Sequence, residues 1–285
     1  MARKTKAFPM RTRILVAILL VVLLAGGLVL YQHRYTVAQM ILSLTVPEAM
    51  DFEEVIVEQD QPINEEQSSV EVVVAPKTDQ EEPPQNVELL TATIPDQINL
   101  AIPFLLQAPT SNWALPYQEA CEEASVLMAA AFLGEDVNLS TPQTKAQEIL
   151  DLVDFEMEYL GFYLDTNVAD TISFANSRYP ALVFASVANP TVDQIKAFVA
   201  QGSPVIVPAA GRELHNPFFS REGPLYHMVV IRGYTTSSFI TNDPGVGRGA
   251  EYVYSYETIM EAMGDWNDGN PTQGEKVVIV VRKRL

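Results

Sequence analysis

The chain contains few of the residues that build covalent or metal-bound frameworks. It holds one cysteine and three histidines among 285 residues. A single thiol cannot form an internal disulfide bond, and a paired-cysteine metal site is excluded. The sequence also lacks a glycine-rich phosphate-binding loop and internal repeats. We therefore expect a fold that depends on its hydrophobic core, with no metal or nucleotide cofactor.

Positive charge is scarce beyond the N-terminal region. The net charge is -18, from 18 Lys and Arg against 36 Asp and Glu. Six of the basic residues precede position 35, whereas the first acidic residue is Glu48. The greater part of the chain is therefore strongly acidic. This charge argues against non-specific binding of nucleic acid or of other anionic surfaces.

The N-terminal region combines basic charge with a hydrophobic run. Residues 1–13 are basic, and an uncharged run rich in Leu, Val and Ile follows at 14–31. Such a run is near the lower length limit for crossing a bilayer about 30 Å thick. The sequence thus predicts a cytoplasmic tail at 1–13, a transmembrane signal anchor at 14–31 and an extracytoplasmic C-terminal part, in a single-pass protein of the cell membrane. A cleaved signal peptide is the alternative.

The stretch at 32–93 is predicted to be an acidic, largely disordered linker. From about residue 46 it is rich in Glu, Pro and Gln, and its Val-rich patches show no sustained helical or strand period. Such composition favours disorder. We interpret the stretch as a tether, with a docking tail for a partner as the alternative.

The remaining residues, 94–285, are enough for one domain. Helix signals come first, at Cys121 to about Phe132, from Pro142 onward, and after a capping-box pattern that begins at Thr191. Apolar, strand-like runs dominate the later part, at 204–208, 227–233, 239–242, 251–254 and 276–282, with a short helix near 256–263. This order indicates an α+β fold.

The thiol lies where a nucleophile would be expected. Cys121 follows a Trp- and Pro-bearing loop at 112–117 and begins a helix-like run. The positive end of a helix dipole and its free N–H groups stabilise a thiolate. Glu122 and Glu123 are interpreted as first-turn residues that favour the dipole, although their charge would oppose formation of the thiolate.

A histidine and an aspartate flank a predicted hairpin. His227 opens one apolar run and Asp243 ends the next, and the two lie symmetrically about position 235. A turn centred there would set them opposite each other, close enough for the carboxylate to orient the imidazole. A slip of one residue would turn one of them away. His215 is interpreted as a loop residue.

Together these segments resemble a known family. Gln107 lies upstream of the block 121–125 (CEEAS), and the blocks 227–230 (HMVV) and 242–245 (NDPG) follow in that order. This pattern resembles the papain-like cysteine peptidases of family thirty-nine, which are related to the bacteriocin-leader-processing, double-glycine type. The resemblance covers roughly residues 98–285.

The resemblance implies a fold and a set of roles. The fold would be papain-like, with the helix that bears the cysteine packed on an antiparallel sheet that bears the His and the Asp. Cys121 would be the nucleophile, His227 the general base and later acid, and Asp243 the group that orients the imidazole. Gln107 would donate to the oxyanion, with Gln118 as the rival because the spacing from Gln107 to the thiol is longer than usual.

The implied function is that of a membrane-anchored, extracytoplasmic cysteine peptidase. It would hydrolyse a peptide or protein substrate through a thioester acyl-enzyme. Two alternatives stay open: a cell-wall peptide amidase or acyltransferase of the same fold, and a catalytically inactive peptide-binding domain. The double-glycine preference is not carried over, since no transporter domain accompanies these residues.

Overall fold

The computed structural model describes residues 19, 22–23, 26–59 and 94–284. The chain divides into two compact units, Met1–Leu44 and Thr45–Leu285. In the first unit, residues 26–32 are helical, and helix α1 spans Arg34–Ser43 after a turn at His33.

The prediction of a transmembrane signal anchor at 14–31 is corrected by the structure. Part of this range lies outside the described residues, and none of the helices that are described is long and apolar enough to cross a membrane. The predicted single-pass localisation and the membrane as a partner therefore lack their basis.

The second unit combines helices with an antiparallel sheet, as the predicted α+β class requires. Its helices are α2 (Phe52–Gln59), α3 (Cys121–Phe132), α4 (Pro142–Leu160), α5 (Val168–Arg178), α6 (Val192–Ala200) and α7 (Tyr256–Ala262). Its strands are β1 (Ile98–Asn99), β2 (Leu182–Ala188), β3 (Val205–Ala210), β4 (Tyr226–Tyr234), β5 (Ser238–Asn242), β6 (Tyr252–Ser255) and β7 (Val277–Lys283).

The sheet has the order β2-β7-β3-β4-β5-β6, and β1 pairs with β4 outside this path. All of these pairings are antiparallel. Every residue of β3, β4 and β5 is buried. Strand β3 is a continuous apolar run, the pattern expected of a strand covered on both faces, whereas β4 and β5 also bury polar side chains, including His227 and Arg232.

Local sequence signals set several helix ends. Thr141 and Thr144 form a capping box at the start of α4, where Pro142 occupies the first turn. Thr191 and Gln194 form a second box at the start of α6, which confirms the predicted pattern. Helix α4 ends at Gly161, whose φ of 88° suits a residue without a side chain.

Helix α3 lies in the interior, against β4 and α4. Each residue from Cys121 to Ala130 is buried, including the two glutamates of its first turn. A helix that is covered on all sides belongs to the core of a domain. The cysteine at its N-terminus is thereby fixed against the central strand of the sheet.

Residues 45–59 contribute to this second unit although they fall in the predicted linker. Met50 pairs with the β1 segment through Met50 N–H to Asn99 O, 2.7 Å, and Val55 is 1% exposed in the core. Phe52 meets the ring of Phe132 edge-on, with centroids 6.0 Å apart. Of the rest of the predicted linker, helix α1 occupies Arg34–Ser43, and residues 60–93 lie outside the described residues.

Candidate active site

The candidate nucleophile is buried at the first turn of α3. Cys121 follows a short 3-10 turn, Tyr117–Glu119, and is 5% exposed. Its sulfur donates a hydrogen bond to Glu122 Oε2 at 3.0 Å. The main chain of Met228, the neighbour of His227 on β4, also interacts with the sulfur. The N-terminus of α3 thus adjoins the strand that carries the histidine.

His227 and Asp243 form a buried pair. His227 Nε2 lies 2.8 Å from Asp243 Oδ1, and neither side chain is exposed by more than 2%. Since Asp243 is an acceptor when ionised, Nε2 carries the proton of this bond. The other ring nitrogen, Nδ1, is then the basic one. The pair has the base and orienter geometry that nucleophilic catalysis uses.

The pair forms in a register different from the predicted one. A hairpin symmetric about position 235 would place Val230 opposite Ile240, but Val230 pairs with Asn242, and a bulge interrupts β4 between Ile231 and Gly233. The difference is two residues along the partner strand. A shift by an even number of residues keeps each side chain on its original face of the sheet. His227 and Asp243 therefore become diagonal rather than direct neighbours, and the carboxylate stays within reach of the imidazole.

Asp243 is held as an anion by donors on both oxygens. Oδ1 accepts from the Gly245 N–H at 2.9 Å as well as from His227. Oδ2 accepts from Tyr254 Oη at 2.7 Å and from Asn216 Nδ2 at 3.0 Å. Burial alone would raise the pKa of Asp243, but His227 and the other donors outweigh it and lower that pKa below its usual value.

The imidazole is fixed by its neighbours on several sides. Phe219 meets the ring edge-on with centroids 5.4 Å apart. A Cβ at Gly245 would lie 2.8 Å from His227 Cε1, and one at Gly211 would lie 3.1 Å from His227 Cβ. Gly245 therefore allows the main chain to approach the ring closely, and Gly211 allows it to approach Pro224 and the His227 Cβ. The imidazole of His227 can therefore rotate little without displacing Phe219 or the main chain at Gly245.

A comparison with protein-family models identifies the family of the chain. The model of the Peptidase C39-like family matches residues 99–270, more than half of the chain. The chain belongs to the Peptidase C39-like family. A solved structure of a protein from Bacillus anthracis named as a C39-like peptidase is 16% identical; it covers 67% of this chain and 99% of its own, with a TM-score of 0.45. No curated protein matches the chain. Membership of the family points to a peptidase, which acts on peptide substrates.

In this member of the C39-like family, Gln107 forms hydrogen bonds with the main chain of the segment that precedes α3. Its Nε2 donates to Tyr117 O at 3.0 Å and to Gln118 O at 2.8 Å, and its main-chain N–H donates to Pro244 O at 3.0 Å. The Gln118 side chain instead donates to Glu119 Oε1 at 2.8 Å. Neither amide makes a hydrogen bond to Cys121 within the described part of the chain.

Three glutamates form a buried cluster beside the thiol, where the sequence predicted first-turn helix residues. No side chain caps α3, and Glu122 and Glu123 are 2% and 0% exposed. Glu156 of α4 accepts a hydrogen bond from Thr166 and lies within hydrogen-bonding reach of Glu123. Apart from that contact, neither Glu123 oxygen has a partner among the residues described.

The cluster disfavours negative charge. Burial raises the pKa of Glu122 to about 8, and the charges of Glu156 and Asp165 add to the effect. Burial likewise raises the pKa of Glu156 to about 7 and that of Glu123 well above its usual value. Burial, followed by the charge of Glu122, also raises the pKa of Cys121 well above its usual value. The thiolate that the helix terminus was expected to stabilise is therefore disfavoured in this geometry.

Sequence reasoning missed the groups that support the pair. The run at 251–254 predicts only a strand for Tyr254, and no role is predicted for Asn216, although an Asn before a Pro often marks a turn whose side chain is structural. His215, predicted as a loop residue, has a largely exposed side chain with Glu213 3.9 Å away. It takes no part in the hydrogen bonds of His227 and Asp243.

Proposed function

We propose that the chain is a cysteine peptidase in which Cys121 is the nucleophile, His227 the general base and acid, and Asp243 the group that orients the imidazole. The observation that carries this proposal is the buried contact of His227 Nε2 with Asp243 Oδ1 at 2.8 Å, on the strand next to the helix headed by the only thiol. Membership of the C39-like family supports the same reaction class.

The proposed reaction begins with loss of the thiol proton. In the structure the sulfur donates a hydrogen bond to Glu122, so in the proposed reaction it first leaves this contact by rotation about the Cα–Cβ bond. The proton then passes from Sγ to Nδ1, and the imidazolium is stabilised by Asp243. The thiolate attacks the scissile carbonyl, and the imidazolium returns its proton to the departing amine. Water hydrolyses the resulting thioester.

Gln107 is the proposed donor to the oxyanion, with Gln118 as the alternative. The Gln107 side chain is buried beside the segment that precedes Cys121, whereas the Gln118 amide bonds to the side chain of Glu119. A donor in that position is worth about 3 kcal/mol in the barrier. To act, Gln107 must exchange one main-chain carbonyl for the oxyanion.

We propose that the peptidase domain comprises residues 94–285 with the docked segment 45–59.

The test is cleavage of a synthetic peptide library by the full chain, followed by mass spectrometry. Wild type is expected to cleave, and Cys121→Ala and His227→Ala are expected to lose turnover by about 10³-fold or more. Thr272→Ala, at an exposed position of the 3-10 turn Pro271–Gln273, is the control and should retain activity.

The products separate the alternatives. Incorporation of water at the cleaved carbonyl indicates a peptidase, and incorporation of an added amine indicates an acyltransferase. Binding of peptides without cleavage indicates an inactive binding domain. Undiminished cleavage by folded Cys121→Ala would contradict the proposal.

A further inference from the structure

The sulfur of Cys121 is engaged by a carboxyl group rather than by the imidazole. The sulfur donates to Glu122 Oε2 at 3.0 Å, and both side chains are almost fully buried. The sulfur is the donor in this contact, and a thiol that donates a hydrogen bond still holds its proton. The structure therefore shows the nucleophile in its unreactive form.

The surroundings of Glu122 reinforce that form. The titratable groups that interact electrostatically with Glu122 come from α3, α4, β4 and the loop before α5. None of them is a Lys or Arg. They are Cys121, Glu123, Glu156, Asp165 and Tyr226. A negative charge on the sulfur at this place would be added to a buried group of acids. Like charges at low dielectric oppose one another strongly.

We propose that Glu122 is an inhibitory positioning residue, which holds the Cys121 thiol protonated through this hydrogen bond until the sulfur rotates toward the imidazole of His227. This inference rests on the proposed function, because it takes Cys121 as the nucleophile and His227 as its base. On rotation, the hydrogen bond to Oε2 breaks and the thiol proton passes to Nδ1. The products are a thiolate and an imidazolium, and the Glu122 side chain keeps its own protonation state.

A contrary role for Glu122 makes the opposite prediction. If Glu122 were itself the base, it would take the thiol proton directly, and its removal would slow every reaction of the sulfur. If Glu122 holds the thiol in its unreactive form, its removal accelerates them. The sign of the effect of one neutralising substitution therefore separates the two roles.

The experiment measures the rate of iodoacetamide alkylation of the full chain against pH. Glu122→Gln keeps the size of the side chain and removes the charge that Glu122 carries above its pKa of about 8. The thiol, whose pKa is raised well above its usual value, titrates in that range, so the variant is expected to lower the midpoint of the profile by about one pH unit or more, which is about a tenfold faster reaction between pH 8 and the midpoint. Glu123→Gln is the matched control, since it neutralises a neighbouring buried acid that has no hydrogen bond to the sulfur. Its shift is expected to be much smaller.

Three results would overturn the inference. They are a slower reaction of Glu122→Gln, an unchanged midpoint, and an equal shift in Glu123→Gln, which would assign the effect to general charge rather than to the contact. Should the variants fail to fold, infrared spectroscopy of wild type decides. The chain has one cysteine, so a single hydrogen-bonded S–H band near neutral pH is expected, and its absence overturns the inference.

A third variant separates this inference from the proposed function. In the background of Glu122→Gln, His227→Ala is expected to abolish the gain in alkylation rate, because the released thiol has lost its base. If Glu122→Gln accelerates alkylation and His227→Ala changes nothing, the inhibitory contact stands and the proposed pairing of Cys121 with His227 fails. If His227→Ala slows alkylation of wild type while Glu122→Gln leaves it unaltered, the reverse holds.

Discussion

Asp243 and Glu122 are both buried carboxyl groups of the candidate site, yet their pKa values move in opposite directions. Asp243 accepts hydrogen bonds from His227, Gly245, Tyr254 and Asn216, and its pKa is lowered. Glu122 accepts one from the thiol, and burial raises its pKa to about 8. Burial is common to both groups, so it cannot explain the difference.

The number and charge of the donors explain it. An ionised carboxylate in the interior is stable only when donors replace the water that it has lost. Asp243 has such donors on both oxygens, including an imidazole that becomes a cation during the proposed reaction. The glutamates have each other as neighbours instead, and Glu123 has no donor apart from Glu156 among the described residues. The first region, around Asp243, therefore stabilises a negative charge. The second region, the cluster of Glu122, Glu123 and Glu156, disfavours one.

The largest expected effect comes from removing the charge that the first region is built to hold. Asp243→Asn keeps the shape of the side chain but offers an amide to Nε2, which favours the wrong imidazole tautomer. We expect turnover to fall by about 10³- to 10⁴-fold, measured on any peptide that wild type cleaves. Asp265→Asn is the control, because Asp265 accepts from Tyr226 and from main-chain N–H groups but has no hydrogen bond to an imidazole. Similar losses in both variants would contradict the assigned role of Asp243.

The second prediction concerns the region that excludes charge. Its raised carboxyl pKa values mean that the folded chain binds more protons than the unfolded chain between about pH 4.5 and 8. Stability is then complete below the ordinary glutamate pKa and falls as pH rises through the folded values. We expect the melting temperature to be several degrees lower at pH 8.5 than at pH 5.5. Asp243, whose pKa is lowered, contributes stability that is lost only in more acidic solution.

Glu156→Gln isolates the contribution of the cluster from that of the overall negative charge. Burial raises the pKa of Glu156 from 4.5 to about 7, which corresponds to a stability change on the order of 3 kcal/mol across this pH range. The variant should therefore show a shallower decline in melting temperature with pH. A decline as steep as that of wild type would show that the cluster does not titrate as described.

Much of the fold follows from local sequence signals. The capping boxes at Thr141 and Thr191 and the apolar runs of the later strands give their elements to within a few residues. Two neighbouring elements, α5 and β2, were missed. Helix α5 has a helical burial period, at Val168, Thr171, Phe174 and Ala175, but the polar Thr171 interrupts its apolar face, and the alternation of β2, an edge strand, breaks between Phe184 and Val187. Docking of residues 45–59 depends on distant partners such as Phe132, which no local pattern reveals.

The sequence likewise predicts some features of the candidate site and not others. The order of Cys121, His227 and Asp243 could be recognised, and the histidine and aspartate meet despite a register that differs from the symmetric one by two residues, because that shift preserves the face. The character of Glu122 could not be predicted. First-turn acids favour a helix when solvent surrounds them, and only the packing of α4 and β4 around α3 shows that these are buried.

The smallest expected effect comes from removing one of the hydrogen-bond donors of Asp243, which makes its surroundings more like those of Glu122. Tyr254→Phe removes the 2.7 Å hydrogen bond to Asp243 Oδ2 and leaves that of Asn216. We expect a loss of about 2 kcal/mol in the free energy of unfolding, measured by urea denaturation near neutral pH, since the acceptor is charged. The pKa of Asp243 should rise, so activity should be lost at a higher pH on the acid side. Tyr159→Phe, at an exposed hydroxyl 3.4 Å from Ser173, should change stability by less than about 0.5 kcal/mol. If both variants behave alike, the donors of Asp243 do not set its charge, and the contrast with Glu122 needs another cause.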